Sequence, residues 1–188
     1  MRLEDTARVY TLGYMLEPIR VRFKKSLRLD TLIKLEARED ESRALPRWLA
    51  KILSTYGIVD IQEPDMGIEL LRALSREKVS GSNITTLEPN FYIKVRDFID
   101  DMKRREARKD ISVERLMVTL QDMILLRLDK MIKYAKSPYA IQEVEQRLSI
   151  EERLLLKSMH TSIEEFNAYL MGNDNNNNDN EQDGRTEG

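Results

Sequence analysis

The side chains able to do chemistry are few in this sequence. There is one histidine, His160, and no cysteine. A lone imidazole with no Ser-Asp arrangement nearby supports neither a nucleophilic triad nor a multi-histidine metal site. The absence of thiols removes disulfides, thiol nucleophiles and Cys-ligated metal centres. Asp97, Asp100 and Asp101 cluster on one stretch of helical spacing, as do Glu143 and Glu145. Such carboxylates ordinarily form solvated helix faces, and a catalytic pair needs a cleft and convergent partners. The seven glycines are scattered, with no phosphate-cradling loop. These residues predict a protein that is not an enzyme and holds neither cofactor nor metal.

Two basic segments are candidates for contact with DNA or an acidic protein surface. One is the Arg20, Arg22, Lys24 and Lys25 group, within a basic patch at 20–28. The other is Lys103, Arg104 and Arg105, within 103–109. The second run sits where a helix C-terminus would be, and interaction with the helix dipole is its favoured explanation, ahead of a partner contact. The total charge is -2, from 31 basic and 33 acidic residues in 188. The last eighteen residues, MGNDNNNNDNEQDGRTEG, hold five acids and one base, leaving the body nearly neutral. That balance argues against a dedicated high-affinity DNA binder.

The elements that must position these groups divide near Pro64. Ile19, Val21 and Phe23 alternate with Arg20, Arg22 and Lys24, the period of a half-buried strand. Ile33, Leu35 and Ala37 alternate in the same way, and Arg38 to Arg43 reads as a loop. Pro46 suits the start of a helix, Leu45, Leu49, Ile52 and Leu53 follow its spacing, and Gly57 is a natural stop. Trp48 is expected to pack on the small sheet, and Ile58 to Ile61 is a short final strand. The first eighteen residues carry two signals. Leu3, Ala7 and Tyr10 have helical spacing, but Tyr10, Leu12 and Tyr14 alternate, and a strand is the expectation.

After Pro64 the pattern is helical. Met66 to Lys78 is a short helix, ended by the turn-rich SGSNITT. Asn90 can cap a second, running to about Lys109 with Tyr92, Val95, Ile99 and Met102 on one face. Phe91 and Tyr92 open it, and one of them is expected to leave the main stripe, to close a joint or anchor a partner. A third helix spans about Ser112 to Lys136, where Ser137-Pro138 breaks it. Ser149 with Glu152 forms a capping box, and Ser162 with Glu165 suggests another that would divide the last helix near His160. The expected fold is α+β and mostly α. A small β-rich domain (1–63) precedes an α-helical bundle domain (64–170) and a disordered acidic tail (171–188).

The third helix is the most informative. Val113, Leu116, Met117, Leu120, Ile124, Leu128, Met131 and Ala135 form one broad apolar stripe. Val118, Leu125 and Ile132 form a second line at seven-residue spacing. A helix apolar on more than one side sits in the middle of something larger. Either it is buried wholly within its own chain, or the Val118/Leu125/Ile132 line meets another subunit.

Several of these segments together resemble one family. Leu45-Pro46-Arg47-Trp48-Leu49-Ala50 followed by Glu88-Pro89-Asn90-Phe91-Tyr92 is similar to the paired signature of GINS subunits. Leu126-Arg127-Leu128-Asp129-Lys130-Met131-Ile132 and Leu148-Ser149-Ile150-Glu151-Glu152-Arg153 extend the likeness. The order, β-rich part before helical part, resembles the archaeal subunit related to the eukaryotic second and third GINS subunits. The resemblance implies a non-catalytic scaffold for DNA replication, cytoplasmic and nucleoid-associated. It implies a tetramer with two copies of each subunit type, or of one type in some lineages, joined to the MCM helicase and a RecJ-like helicase cofactor. DNA contact would be weak or indirect, and no membrane is involved. The competing reading is a nucleic-acid-binding factor using the two basic patches.

Overall fold

A computed structural model describes residues 3–30, 34–105 and 111–172. The chain opens with a helix, α1 (Leu3–Leu16), not the expected strand. Tyr14 is buried on its inner side, beneath the Arg47 guanidinium at 4.1 Å from the ring centroid. Val9, Leu12 and Leu16 lie on the opposite side in solvent. With apolar residues on both sides of a helix, every second position also looks apolar, which imitates a strand.

Strand β1 (Pro18–Phe23) has the expected alternation, with Ile19, Val21 and Phe23 buried and the residues between them exposed. It is the middle of an antiparallel sheet, between β4 (Ser42–Pro46) and β5 (Val59–Ile61). The register sets Ile19 opposite Leu45 and Val21 opposite Ile61. Strands β2 (Leu27–Asp30) and β3 (Lys34–Ala37) form a separate antiparallel pair. Leu35 and Ala37 are buried as expected, while Ile33 lies outside the described residues. The charged stretch from Arg38 is a turn only as far as Glu41, because Ser42 and Arg43 already pair with β1.

Helix α2 (Arg47–Thr55) closes this core with Leu49, Ala50 and Leu53. It stops at Gly57, whose φ of +66° lets its N–H reach Ser54 O while the Ile58 N–H reaches Leu53 O. The sheet side of α2 does not take Trp48. That side chain is 37% exposed, in line with the exposed Ile52 and Tyr56, whereas Arg47 is buried.

The helical part begins at α3 (Met66–Val79), where the Asp65 carboxylate accepts from the Gly67 and Ile68 N–H groups. Gly67 permits a close approach to the third helix. A Cβ there would stand 3.2 Å from Leu116 Cδ2. Helices α4 (Phe91–Arg105), α5 (Ile111–Tyr134), α6 (Pro138–Val144) and α7 (Ile150–Leu170) complete the bundle, with a 3-10 turn at Glu145–Arg147. Ser137-Pro138 separates α5 from α6 as expected. Ser149 and Glu152 form both halves of the capping box that starts α7. The Ser162/Glu165 pair caps nothing, since α7 runs through it unbroken. Two apolar clusters fill the bundle, one among α3, α4 and α5 and one among α5, α6 and α7. Residues 173–188, expected to be disordered, lie outside the described residues, as do 106–110.

Candidate functional site

The bundle contains a buried ionic network. Arg127 of α5 is fully buried and lies between Glu77 of α3 and Glu152 of α7, both also buried. Its Nε and Nη2 donate to the two Glu152 oxygens at 2.5 and 2.8 Å. Its Nη1 donates to Glu77 Oε2 at 2.8 Å and to the Thr85 carbonyl at 2.9 Å. One turn on, Lys130 Nζ donates to Glu77 Oε1 at 2.6 Å and is ringed by the Glu77 and Asn83 carbonyls and Ser80 Oγ. The phenol of Tyr92 donates to Glu152 Oε1 at 2.8 Å, and the Ser149 N–H to Glu152 Oε2 at 3.0 Å. Thr85 closes the circuit by donating to Glu77 through both its N–H and its hydroxyl.

Two cations and two carboxylates make this set neutral, which is the condition for burying it. Burial alone would push the Glu77 carboxyl up. The hydrogen bonds from Lys130 and Thr85, with the Arg127 charge, outweigh that and hold it below the usual carboxylate value. Burial would lower the Arg127 pKa, but its Glu152 and Glu77 partners keep it raised. Tyr92 is pushed up, first by burial and then by the Glu152 charge. No acid or base here is left free to exchange protons with a substrate. The network joins α3, α4, α5 and α7 and serves architecture, not catalysis. Among the described residues, no group of three or more His, Cys, Asp or Glu could hold a metal. His160 Nδ1–H donates to the Ala135 carbonyl at 2.9 Å.

On α5 the two apolar lines separate. Leu116, Leu120, Met123 and Met131 face the bundle together with Arg127 and Lys130. At about 100° per residue, Leu125 lies roughly 160° from Met123 and Ile132 about 180° from it. Val118, Leu125 and Ile132 are 59%, 53% and 41% exposed, and Met117 and Ile124, expected in the inner stripe, are exposed beside them. Leu71 of α3 adds to this surface, sharing a shallow groove with Leu116 and Val118. Phe91 and Tyr92, by contrast, are turned inward. Phe91 is buried, and the two rings meet edge to face with centroids 5.5 Å apart.

The basic candidates are exposed but partly neutralised. Arg20, Arg22, Lys24 and Lys25 all reach solvent. Asp60, on the neighbouring strand, pairs with Lys24 at 2.7 Å and lies 3.9 Å from Arg22. Lys103 is exposed, and Arg104 pairs with Asp101 at 2.6 Å. Arg105 ends α4, and the remainder of that run lies outside the described residues. Asp97 and Asp101 are not a free solvated face, because both take the ammonium of Lys51 from α2.

A bundle of five helices pinned by one buried ionic network, with an unclothed apolar helix face, invites comparison with known families. The family model of the GINS complex protein helical bundle domain (Sld5) matches residues 65–171, from the N-cap of α3 to the C-cap of α7. The chain belongs to the GINS family. No curated protein matches it. The GINS family is non-catalytic. Membership makes the chain a subunit of a DNA-replication scaffold with other GINS subunits as partners. None of the described helices is long and apolar enough to cross a membrane.

The network explains what the sequence segments encode. Arg127, Lys130, Ser149, Glu152 and Tyr92, which stand in the quoted GINS-like segments, are its members. Sequence reasoning placed Tyr92 on the apolar face of its helix and Ser149 with Glu152 in a capping box, but did not place Arg127 or Lys130 in the core. The available signal was position: Arg127 and Lys130 fall four and seven residues after Met123, inside the apolar arc of α5.

Proposed function

We propose that this GINS subunit assembles through the outer face of α5, with Val118, Leu125 and Ile132 packed against a helix of another subunit. The observation that carries this reading is that α5 is apolar on opposite sides. One side is filled by its own bundle, and the other presents five large apolar residues to water. Contiguous exposed apolar surface of this kind marks an association site. The assembly is a tetramer with two copies of each subunit type. The β-rich part precedes the helical domain, the order of the archaeal subunit related to the eukaryotic second and third GINS subunits. The tetramer joins the MCM helicase to a RecJ-like cofactor in the cytoplasm, at the nucleoid. It stimulates the helicase by binding its active conformation more tightly and so shifting that population. Phe91 and Tyr92 support the interface from within by positioning α4.

DNA contact is secondary, because Asp60 and Asp101 already answer part of each basic patch. Light scattering of the purified chain, alone and with a partner subunit, tests the reading. The expected particle is larger than the 22.1 kDa of one chain. Leu125→Glu should reduce it to one chain while leaving the helical circular dichroism unchanged. An unchanged mass in that folded variant would sink the proposal.

A further inference from the structure

The apolar clusters of this protein stop at the segment 62–65. One draws only on residues from Ile19 to Ile61, and the other two only on residues from Met66 onward. Among the described residues, α1 packs against α7 across this boundary, and that contact is slight. What meets where α2 approaches α4 is charge. The Lys51 ammonium sits between Asp97, to which it donates a hydrogen bond, and Asp101 at 3.1 Å. The Lys51 and Asp97 side chains are largely buried, at 17% and 16% exposure. Beside them Arg47 holds Glu63 with two hydrogen bonds of 2.7 and 2.5 Å. Further links are polar contacts such as Asn90 to Glu17 at 2.8 Å and Arg96 to Thr11 at 3.2 Å.

We infer that Lys51 is an ionic latch: it docks the N-terminal β unit on the helical bundle, and loss of its charge releases that unit while both parts stay folded. Asp97 and Asp101 are one helical turn apart on α4, so their like charges repel. Arg104 takes one Asp101 oxygen, and Lys51 takes the other together with Asp97. Without the ammonium, the two carboxylates would face a seam that excludes much of their water, with only Arg104 on Asp101 and the more distant Arg47 charge near Asp97 to offset them. Removing one partner of such a set is costly because it strands the other charges. Opening the seam relieves that cost by rehydrating them. Opening also sacrifices little hydrophobic burial, because among the described residues no apolar cluster bridges α2 and α4. Interfaces with those properties move by default. The segment 62–65 keeps the two parts joined, and α1, which packs on both α2 and α7, lies across the seam.

The absence of native cysteine permits a direct test in the full chain. Tyr56→Cys at the C-cap of α2 and Glu143→Cys on α6, both exposed, carry spin labels, and labelled chains are diluted into unlabelled ones. Pulsed dipolar spectroscopy should give one narrow distance distribution for this parent. Lys51→Met should broaden it and move it to longer distances, with far-UV helix signal retained. Asp97→Asn with Asp101→Asn, leaving Lys51 in place, should do the same from the other side. A narrow, parent-like distribution in either folded variant overturns the latch. Loss of the helix signal in Lys51→Met would also overturn it, by making Lys51 a folding determinant of the bundle.

Discussion

Arg127 is the residue on which the bundle turns. Its guanidinium satisfies two carboxylates and a carbonyl on three separate segments, a geometry a lysine cannot reproduce. Arg127→Met should destabilise the protein by about 3–5 kcal/mol, since it leaves Glu152 and Glu77 buried with too few cations. Urea unfolding followed by circular dichroism measures this, and Arg127→Lys should recover only part of the loss. The same network sets the pH limits. The Glu77 carboxyl is held below its ordinary 4.5 by its partners, so the folded chain binds a proton there less readily than the unfolded one. Its contribution is therefore complete above pH 4.5 and is lost as pH falls below that value. Glu151 works in the opposite sense, because burial raises its pKa and protonation favours the folded form. Tyr92 contributes to the alkaline limit together with Tyr14, whose phenol is also pushed up by burial. The Tyr92 phenol is raised above 10.0 by burial and by Glu152, so its contribution is intact below pH 10 and fades at higher pH. Melting temperatures recorded from pH 3 to pH 11 should show both edges. Glu77→Gln should flatten the acid side while lowering stability at neutrality. An acid slope unchanged by that substitution would mean the depressed carboxyl lies elsewhere.

At the scale of elements, Gly57 offers a clean measurement. Its φ of +66° belongs to the left-handed region, and nothing lies within 4 Å of the Cβ that alanine would add. Gly57→Ala should therefore cost only backbone strain, roughly 1–2 kcal/mol, read by the fluorescence of Trp48, the single tryptophan. Gly57 was legible in the sequence because a helical pattern ended on it, and β1 because its alternation is strict. The Ser149 box was legible because both of its hydrogen bonds are local. Other elements hid for physical reasons. The two-sided apolar pattern of α1 imitates a strand. Strand β4 lies at a sheet edge and buries only Leu45 among exposed neighbours, so no alternation announces it. Ser162 and Glu165 have the spacing of a cap but lie where the preceding turns already supply backbone acceptors. The outer line of α5 was legible as an apolar line. Its position opposite the core was not, because that depended on Arg127 and Lys130 turning inward. Those inward cations were the least legible feature of all. Their partners stand up to 53 residues away, and a charged side chain read alone argues for solvent. Burial of the set follows only when all four charges meet.

For the whole molecule, the question is whether stability belongs to one chain or to an assembly. The inner face of α5 is complete within the chain, whereas the outer face is exposed and, in the proposed assembly, is covered by another subunit. Association that occurs in the folded state alone stabilises it by mass action, so the melting temperature becomes concentration-dependent. Unfolding followed at protein concentrations spread over two orders of magnitude should therefore show a rising midpoint. Leu125→Glu should remove that rise, not merely lower the curve, because it deletes the association step and leaves the bundle's own core untouched. The midpoint of the variant should match the low-concentration limit of the parent. A variant that melts lower yet keeps the parent's concentration dependence would place the subunit contact on another surface. The exposed Val9, Leu12 and Leu16 line of α1 is the next apolar helix face to probe in that event.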